Sequence, residues 1–170
     1  NLKYKKTITY NDWKPSGSKI LMGVIRVPTK LIVYKAFSKT HSIQKNKYSQ
    51  IFHPSSLISK QTIIGSGTMI GPGSILGPFV DVGSLVSINR GVRIGHHTTI
   101  GDFCTLNPGS NIAGGTKIGQ KTTIGMGTNI IDGINIGENT VIGAGSVVTK
   151  SIPDNVIAYG SPAKVIRSNS

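Results

Sequence analysis

Acidic residues are scarce in this chain of 170 residues: Asp and Glu number 6 together, against 19 Lys and Arg. Charged residues of both signs make up only 15%, well below the roughly 25% of ordinary globular proteins. A single cysteine, Cys104, excludes an internal disulfide and any cysteine-based metal cluster, and suits a reducing compartment. No apolar run approaches the roughly 18 residues of a membrane span, and no segment reads as a signal peptide. A cytoplasmic protein without a membrane span is therefore expected. Aromatics amount to 6% and form no RNA- or DNA-binding motif, so no nucleic-acid partner is expected either.

What the chain has in excess is glycine, 22 residues, and unevenly placed basic charge. Residues 1–50 hold 11 of the 19 Lys and Arg and one acid, Asp12; residues 51–170 hold 8 basic and 5 acidic residues. A basic segment attracts phosphorylated small molecules, nucleic acid or anionic lipid, or is simply a solvated lysine-rich surface. High glycine with low charge fits either disorder or a repeat. Aliphatic spacing decides for the repeat.

From Ile58, steps of six residues land on Ile64, Ile70, Leu76, Val82, Ile88, Ile94, Ile100 and Leu106. The series runs on through Ile112, Ile118, Ile124, Ile130, Ile136, Ile142 and Val148, sixteen aliphatic positions without a break. Ten of the sixteen following residues are Gly, and four residues after each aliphatic comes a small or β-branched side chain such as Thr68, Ser74 or Cys104. Neither the helical period of 3.6 nor simple alternation fits. A six-residue unit that turns a corner closes after three units, so 18 residues make a triangular coil and successive coils pair as parallel strands. The expected fold is all-β, a parallel β-helix of about five coils over 53–170, behind a small partial α/β segment at 1–52. The periodicity leaves the hand of the coil open; known hexapeptide β-helices are left-handed.

Residues 18 apart stack. One corner column reads Pro78-Phe79, His96-His97, Gly114-Gly115, Asp132-Gly133. This sets an imidazole at an exposed corner with a bare amide one strand spacing away, an arrangement suited to acyl transfer: a base for the nucleophile's proton, an N–H for the oxyanion. His96 is the candidate base and His97 its alternative. A zinc ion is disfavoured, because adjacent corner residues rarely converge on a metal that wants three or four ligands; no metal is expected. Asn89 and Asn107 replace glycine in their hexads and read foremost as a structural ladder, with substrate contact as the second reading for Asn89. Cys104 sits at an inward position and reads as packing.

The quoted residues carry a resemblance. HPSS at His53–Ser56, N-x-G-x-x-I-G-H-H-T-T-I-G-D-F from Asn89 to Phe103, NPGSNIAGG from Asn107 to Gly115, IGAGSVVTKSIP from Ile142 to Pro153 and YGSPAKVIR from Tyr159 to Arg167 resemble the NeuD/PglD-like sugar acetyltransferases of the hexapeptide-repeat superfamily. The resemblance covers about two-thirds of the chain. It implies a left-handed β-helix, a homotrimer with acetyl-CoA in the groove between neighbouring prisms, and acetylation of an amino or hydroxyl group on a sugar or nucleotide-linked sugar in surface-glycan biosynthesis. By position, His96 resembles the base and Gly114 the amide on the acetyl carbonyl. Asn89 matches a sugar-site position, Met126 and Ala144 line the CoA groove, and Lys164 and Arg167 fall where CoA phosphates approach.

The chain departs from the family in three places. The acid that often follows the base is His97 here, a second family histidine falls at Thr105, and the front supplies only half of a βαβαβ nucleotide-sugar domain. Lys19–Ile25 reads as a strand, Pro28 opens a helix, and Tyr48–Phe52 reads as the return strand, with no glycine-rich turn ahead of them. Half a sheet leaves an apolar edge, which implies further sequence before Asn1. Two other readings remain beside the transferase: a non-catalytic β-helix scaffold or binding module, and a γ-carbonic-anhydrase-like metalloenzyme.

Overall fold

The computed structural model describes residues 20–170. Its first element is helix α1, Val27–His41. Seventeen two-residue strands follow at six-residue intervals, from β1 (Ile51–Phe52) to β17 (Val147–Val148). The chain ends in a hairpin of β18 (Val156–Gly160) and β19 (Ala163–Ser168).

Every third short strand pairs in parallel at a register of 18 residues, so Met69 faces Ser87 and Thr105 faces Thr123. The result is a three-faced prism of about six turns. Face I runs from Ile51–Phe52 through Ser87–Ile88 to Val141–Ile142 and the C-terminal hairpin. Face II runs from Leu57–Ile58 to Val147–Val148, and face III from Ile63–Ile64 to Asn135–Ile136. The prism begins one hexad earlier than the aliphatic series suggests, because Phe52 lies six residues before Ile58 and pairs with Ile70.

The interior follows the hexad. Aliphatic positions from Ile70 to Val148 are buried, as are the inward Thr and Ser side chains. Most of those hydroxyls donate to carbonyls, commonly 15 residues ahead: Thr68 Oγ1 donates to Gly83 O at 2.8 Å and Thr122 Oγ1 to Gly137 O at 2.7 Å, while Ser110 Oγ has no partner among the described residues. A buried hydroxyl without a partner would cost about 1–3 kcal/mol, and this bonding is what lets Thr and Ser share the core with Ile. Close coil spacing explains the glycine after the aliphatic: a Cβ on Gly95 would come within 2.5 Å of Gly114 N.

From Gly67 to Gly145 the second residue of each corner is left-handed. Most are glycine, but Phe79, Leu85, His97, Phe103, Lys121 and Asn139 also adopt φ between 48° and 62°, at a cost of about 1–2 kcal/mol each.

The front segment differs from the strand–helix–strand expectation. Lys19 lies outside the described residues, and Ile20 makes only an isolated parallel bridge to Tyr48. Ile51 and Phe52 leave that partner for the prism. A single bridge has no flanking strand to extend its ladder. The apolar side chains instead pack on the prism, where Met22, Ile43 and Tyr48 form one buried cluster with Leu85 and Phe103. Helix α1 contributes Tyr34, whose ring centroid lies 5.3 Å from that of Phe103. No described helix is long and apolar enough to cross a membrane.

Candidate active site

His96 and His97 occupy the corner between faces II and III, and both are exposed. Their Nδ1 atoms lie 3.0 Å apart, a hydrogen bond in which one ring donates to the other. The rings meet edge to face, with centroids 5.2 Å apart. The left-handed backbone at His97 (φ 55°) turns its ring toward Phe79 in the coil below, centroid to centroid 4.9 Å. His97 is thus held on one side by an aromatic ring and on the other by His96, whose Nε2 has no hydrogen-bond partner among the described residues.

Gly114 is the next residue along this column. Gly115 N–H donates to His96 O at 2.8 Å, locking the two coils in register. The imidazole of His96 lies directly against Gly114: a Cβ there would meet His96 Cε1 at 2.7 Å and Nε2 at 2.8 Å. The backbone at Gly114 is not left-handed, so its need for glycine comes from the ring and not from strain. No hydrogen-bond partner occupies the Gly114 N–H among the described residues.

Other expected site residues fall elsewhere. Met126 and Ala144 share the corner between faces I and II, with Arg90 on the same column and Asn89 beside it. Lys164 pairs with Tyr159 across the C-terminal hairpin, and Tyr159 fills the space beside Gly143. Lys164 therefore stands at the Ala144 end of that corner. Arg167, on the same strand, reaches only Ser168 O. Six residues of face II separate Met126 from the His column, up to about 20 Å at 3.3 Å per residue. One chain brings together His96, His97 and Gly114, and separately Met126, Ala144 and Lys164, but not the two groups.

Asn89 and Asn107 do not bond to each other. Asn89 Nδ2 donates to Leu106 O at 3.0 Å and Asn107 Nδ2 to Ile124 O at 2.9 Å, so each is tied to the coil above. A side-chain ladder does exist on face II, where Asn111 Nδ2 donates to Asn129 Oδ1 at 2.9 Å. Cys104 is fully buried and its thiol donates to Gly119 O at 3.0 Å. Burial pushes that thiol up to about 12, which keeps it protonated and unreactive. Among the described residues no three His, Cys, Asp or Glu side chains gather closely enough to hold a metal ion. A cavity of about 810 Å³ opens on face III between Lys117, Glu138 and Asp154, away from the histidines.

Sequence reasoning missed Lys30. It is 1% exposed, and its Nζ donates to Leu85 O, Ser87 Oγ, Cys104 O and Thr105 Oγ1 at 2.9–3.4 Å. No carboxylate faces it; the acceptors are carbonyls and hydroxyls, and burial lowers the ammonium to about 8. Thr105, where the family's second histidine would fall, also donates to Ile25 O at 2.7 Å. Its signal lay in spacing: Val27, Lys30, Tyr34 and Phe37 form one stripe of the helix, so Lys30 points where the apolar residues point.

The model of the bacterial transferase hexapeptide (six repeats) matches residues 115–150. A His→Asn variant of perosamine N-acetyltransferase from Caulobacter crescentus, in complex with CoA and GDP-perosamine, is 30% identical. The alignment covers 88% of this chain and 69% of that one, with a TM-score of 0.78. The chain belongs to the hexapeptide-repeat sugar acetyltransferases. The acetyltransferase domain of PglB from Neisseria gonorrhoeae FA1090 is 25% identical over 92% of this chain and 74% of that one, at a TM-score of 0.82. WeeI from Acinetobacter baumannii AYE shares the fold at a TM-score of 0.86, with 24% identity over 98% of this chain and 80% of that one. No curated protein matches the sequence. Within this sugar acetyltransferase family, the His96–Gly114 pair and the Met126–Ala144 corner are this chain's two candidate halves of a site.

Proposed function

We propose that this sugar acetyltransferase uses acetyl-CoA to acetylate an amino or hydroxyl group of a nucleotide-linked sugar, with His96 as general base. The observation that carries the reading is the imidazole of His96 lying against Gly114, next to an N–H with no partner. The printed ligands of the Caulobacter relative, CoA and GDP-perosamine, support the two substrates. The reaction belongs in the cytoplasm, where acetyl-CoA and nucleotide sugars are available, and its product serves surface-glycan synthesis.

Chemically, His96 Nδ1–H donates to His97 Nδ1, which leaves the Nε2 lone pair free. The acceptor nitrogen or oxygen attacks the thioester carbonyl as its proton passes to Nε2. The carbonyl oxygen becomes an oxyanion and takes the Gly114 N–H. Collapse breaks the C–S bond, and the proton on Nε2 is released to the departing CoA thiolate. His97 fills the position of the family's acid: its Nδ1 accepts from the imidazolium, and Phe79 fixes its ring. The one thiol, Cys104, is buried and protonated and so is not available for a covalent acyl intermediate.

The two half-sites lie on different corners, so the working site is formed between prisms of a homotrimer. The corner that carries Met126 and Ala144 supports this reading. Its left-handed positions are Gly73, Gly91, Gly109, Gly127 and Gly145, and a Cβ at any of them would meet nothing within 4 Å. The left-handed backbone favours glycine here as at the other corners, but only this corner is glycine throughout, and a neighbouring prism with a thin pantetheine arm would use that bare edge. The test is thiol release from acetyl-CoA against a panel of nucleotide-linked amino sugars. His96→Ala is expected to abolish turnover with the fold and trimer intact; near-normal turnover overturns the assignment.

A further inference from the structure

A cleft of about 350 Å³ lies between the front segment and the face I–II corner, lined by Ile25, Ile51, Met69, Pro72, Ser87 and Arg90 among others. Its walls are largely apolar, and Arg90 is its one charged lining residue. Arg90 is exposed, and its column neighbours are Pro72 below and Pro108 above. The five described acids lie elsewhere: Asp102 pairs with Lys45, and Asp81, Asp132, Glu138 and Asp154 belong to face III or other corners. The guanidinium thus has no carboxylate partner among the described residues.

The wall behind it is also positive and firmly built. Ser87 Oγ accepts from the buried Lys30 ammonium at 2.9 Å, and Ile25 O is pinned by Thr105 Oγ1. Two uncompensated cations, one at the mouth and one behind the wall, make this cleft a place for an anion with an apolar companion. Arg90 presents a planar fork that matches phosphate oxygens.

We propose that this cleft holds the diphosphate of the acceptor nucleotide sugar, with Arg90 as its phosphate-binding, specificity-determining residue. The proposal rests on the acetyl-transfer reading above. CoA also carries phosphates, but Met126 lies two coils further along the same corner, about 10 Å at 4.8 Å per coil, and Lys164 lies beyond it. Arg90 sits instead beside Asn89, at the end of the corner covered by the front segment.

The experiment measures steady-state kinetics of the full chain with a nucleoside-diphosphate-linked amino sugar and with the matching free amino sugar. Arg90→Gln is expected to raise KM for the nucleotide sugar about 10- to 100-fold, the loss of one charged hydrogen-bond pair. KM for acetyl-CoA and kcat should change less than about threefold, Arg90→Lys should recover part of the loss, and the free amino sugar should not distinguish wild type from variant. An unchanged KM for the nucleotide sugar overturns the proposal; a rise in KM for acetyl-CoA instead assigns Arg90 to the CoA phosphates and also overturns it. Titration of UDP and GDP into wild type and Arg90→Gln tests the cleft apart from catalysis: weaker binding in the variant is expected, and no binding by wild type contradicts it. If wild type releases no thiol with any sugar yet binds these nucleotides through Arg90, the transfer reading fails and the cleft assignment stands.

Discussion

Two corners of the prism obey one backbone rule and fill it differently. Between faces III and I the left-handed positions read Gly67, Leu85, Phe103, Lys121 and Asn139; between faces I and II all five are glycine. Strain of about 1–2 kcal/mol at each non-glycine residue would favour glycine equally on both. At the first corner two of the side chains have a use, since Leu85 and Phe103 are buried under the front segment. At the five glycines of the second corner a Cβ would meet nothing within 4 Å. Leu85 and Phe103 are kept where the chain packs on itself; on the proposed reading, the glycine corner is left bare for a neighbouring prism and the cofactor. The third corner mixes the two cases: Phe79 packs on His97, which bonds to His96, and Gly114 makes room for the His96 ring.

The His corner gives the largest expected effects. His96→Ala should lower turnover by about 10²- to 10⁴-fold, the range of a general base, with an unchanged melting temperature. Gly114→Ala comes next: its Cβ would lie within 3.0 Å of three imidazole atoms, so His96 must shift. A loss of about 10- to 100-fold is expected, measured as kcat/KM. In the His96→Ala background the same substitution should cost little further, because the ring it displaces is gone. Additive losses in that double-mutant cycle would mean that Gly114 serves something other than the base.

The glycine corner should respond in KM. Gly127→Asn, which tolerates the left-handed backbone, is expected to raise KM for acetyl-CoA about tenfold by crowding the bare edge. The reverse change on the opposite corner, Asn139→Gly, should leave KM for acetyl-CoA alone. Equal effects of the two would erase the contrast between the corners.

The smallest effect belongs to Lys30. Its folded value near 8 lies below the ordinary 10.5, so between these values the unfolded chain holds more proton and stability rises with pH. The rise should be about 1 kcal/mol between pH 8 and 9, read from urea unfolding, and Lys30→Met should remove this slope. A slope that survives in Lys30→Met would assign it to another group.

The prism was legible because its period is strict: six residues fix which side chains enter the core, and 18 fix which corners stack. That ruler alone sets Gly114 over His96. It failed where position alone does not decide. Phe52 continues the hexads as an aromatic at the open end of the prism, so the aliphatic series alone leaves it with the front segment. Asn89 and Asn107 stack in register, but each amide finds a carbonyl nearer than its fellow. Lys30 was hidden by its own charge, since a lysine on an apolar stripe is ordinarily solvated and only the carbonyls and hydroxyls of face I make its burial tolerable. Arg90 carries no periodic signal; only the front segment folding over face I turns an exposed corner residue into the wall of a cleft.

The central claim is that base and cofactor groove come from different chains, and subunit mixing tests it most directly. His96→Ala lacks the base and Ala144→Trp blocks the groove, so each alone should be inactive. When the two are co-expressed and assort at random, about one interface in four joins an intact His96 corner to an intact Ala144 corner. The co-expressed population should then recover roughly a quarter of wild-type turnover, which is about a third in each mixed trimer. Mixed trimers that form and stay inactive would contradict the account.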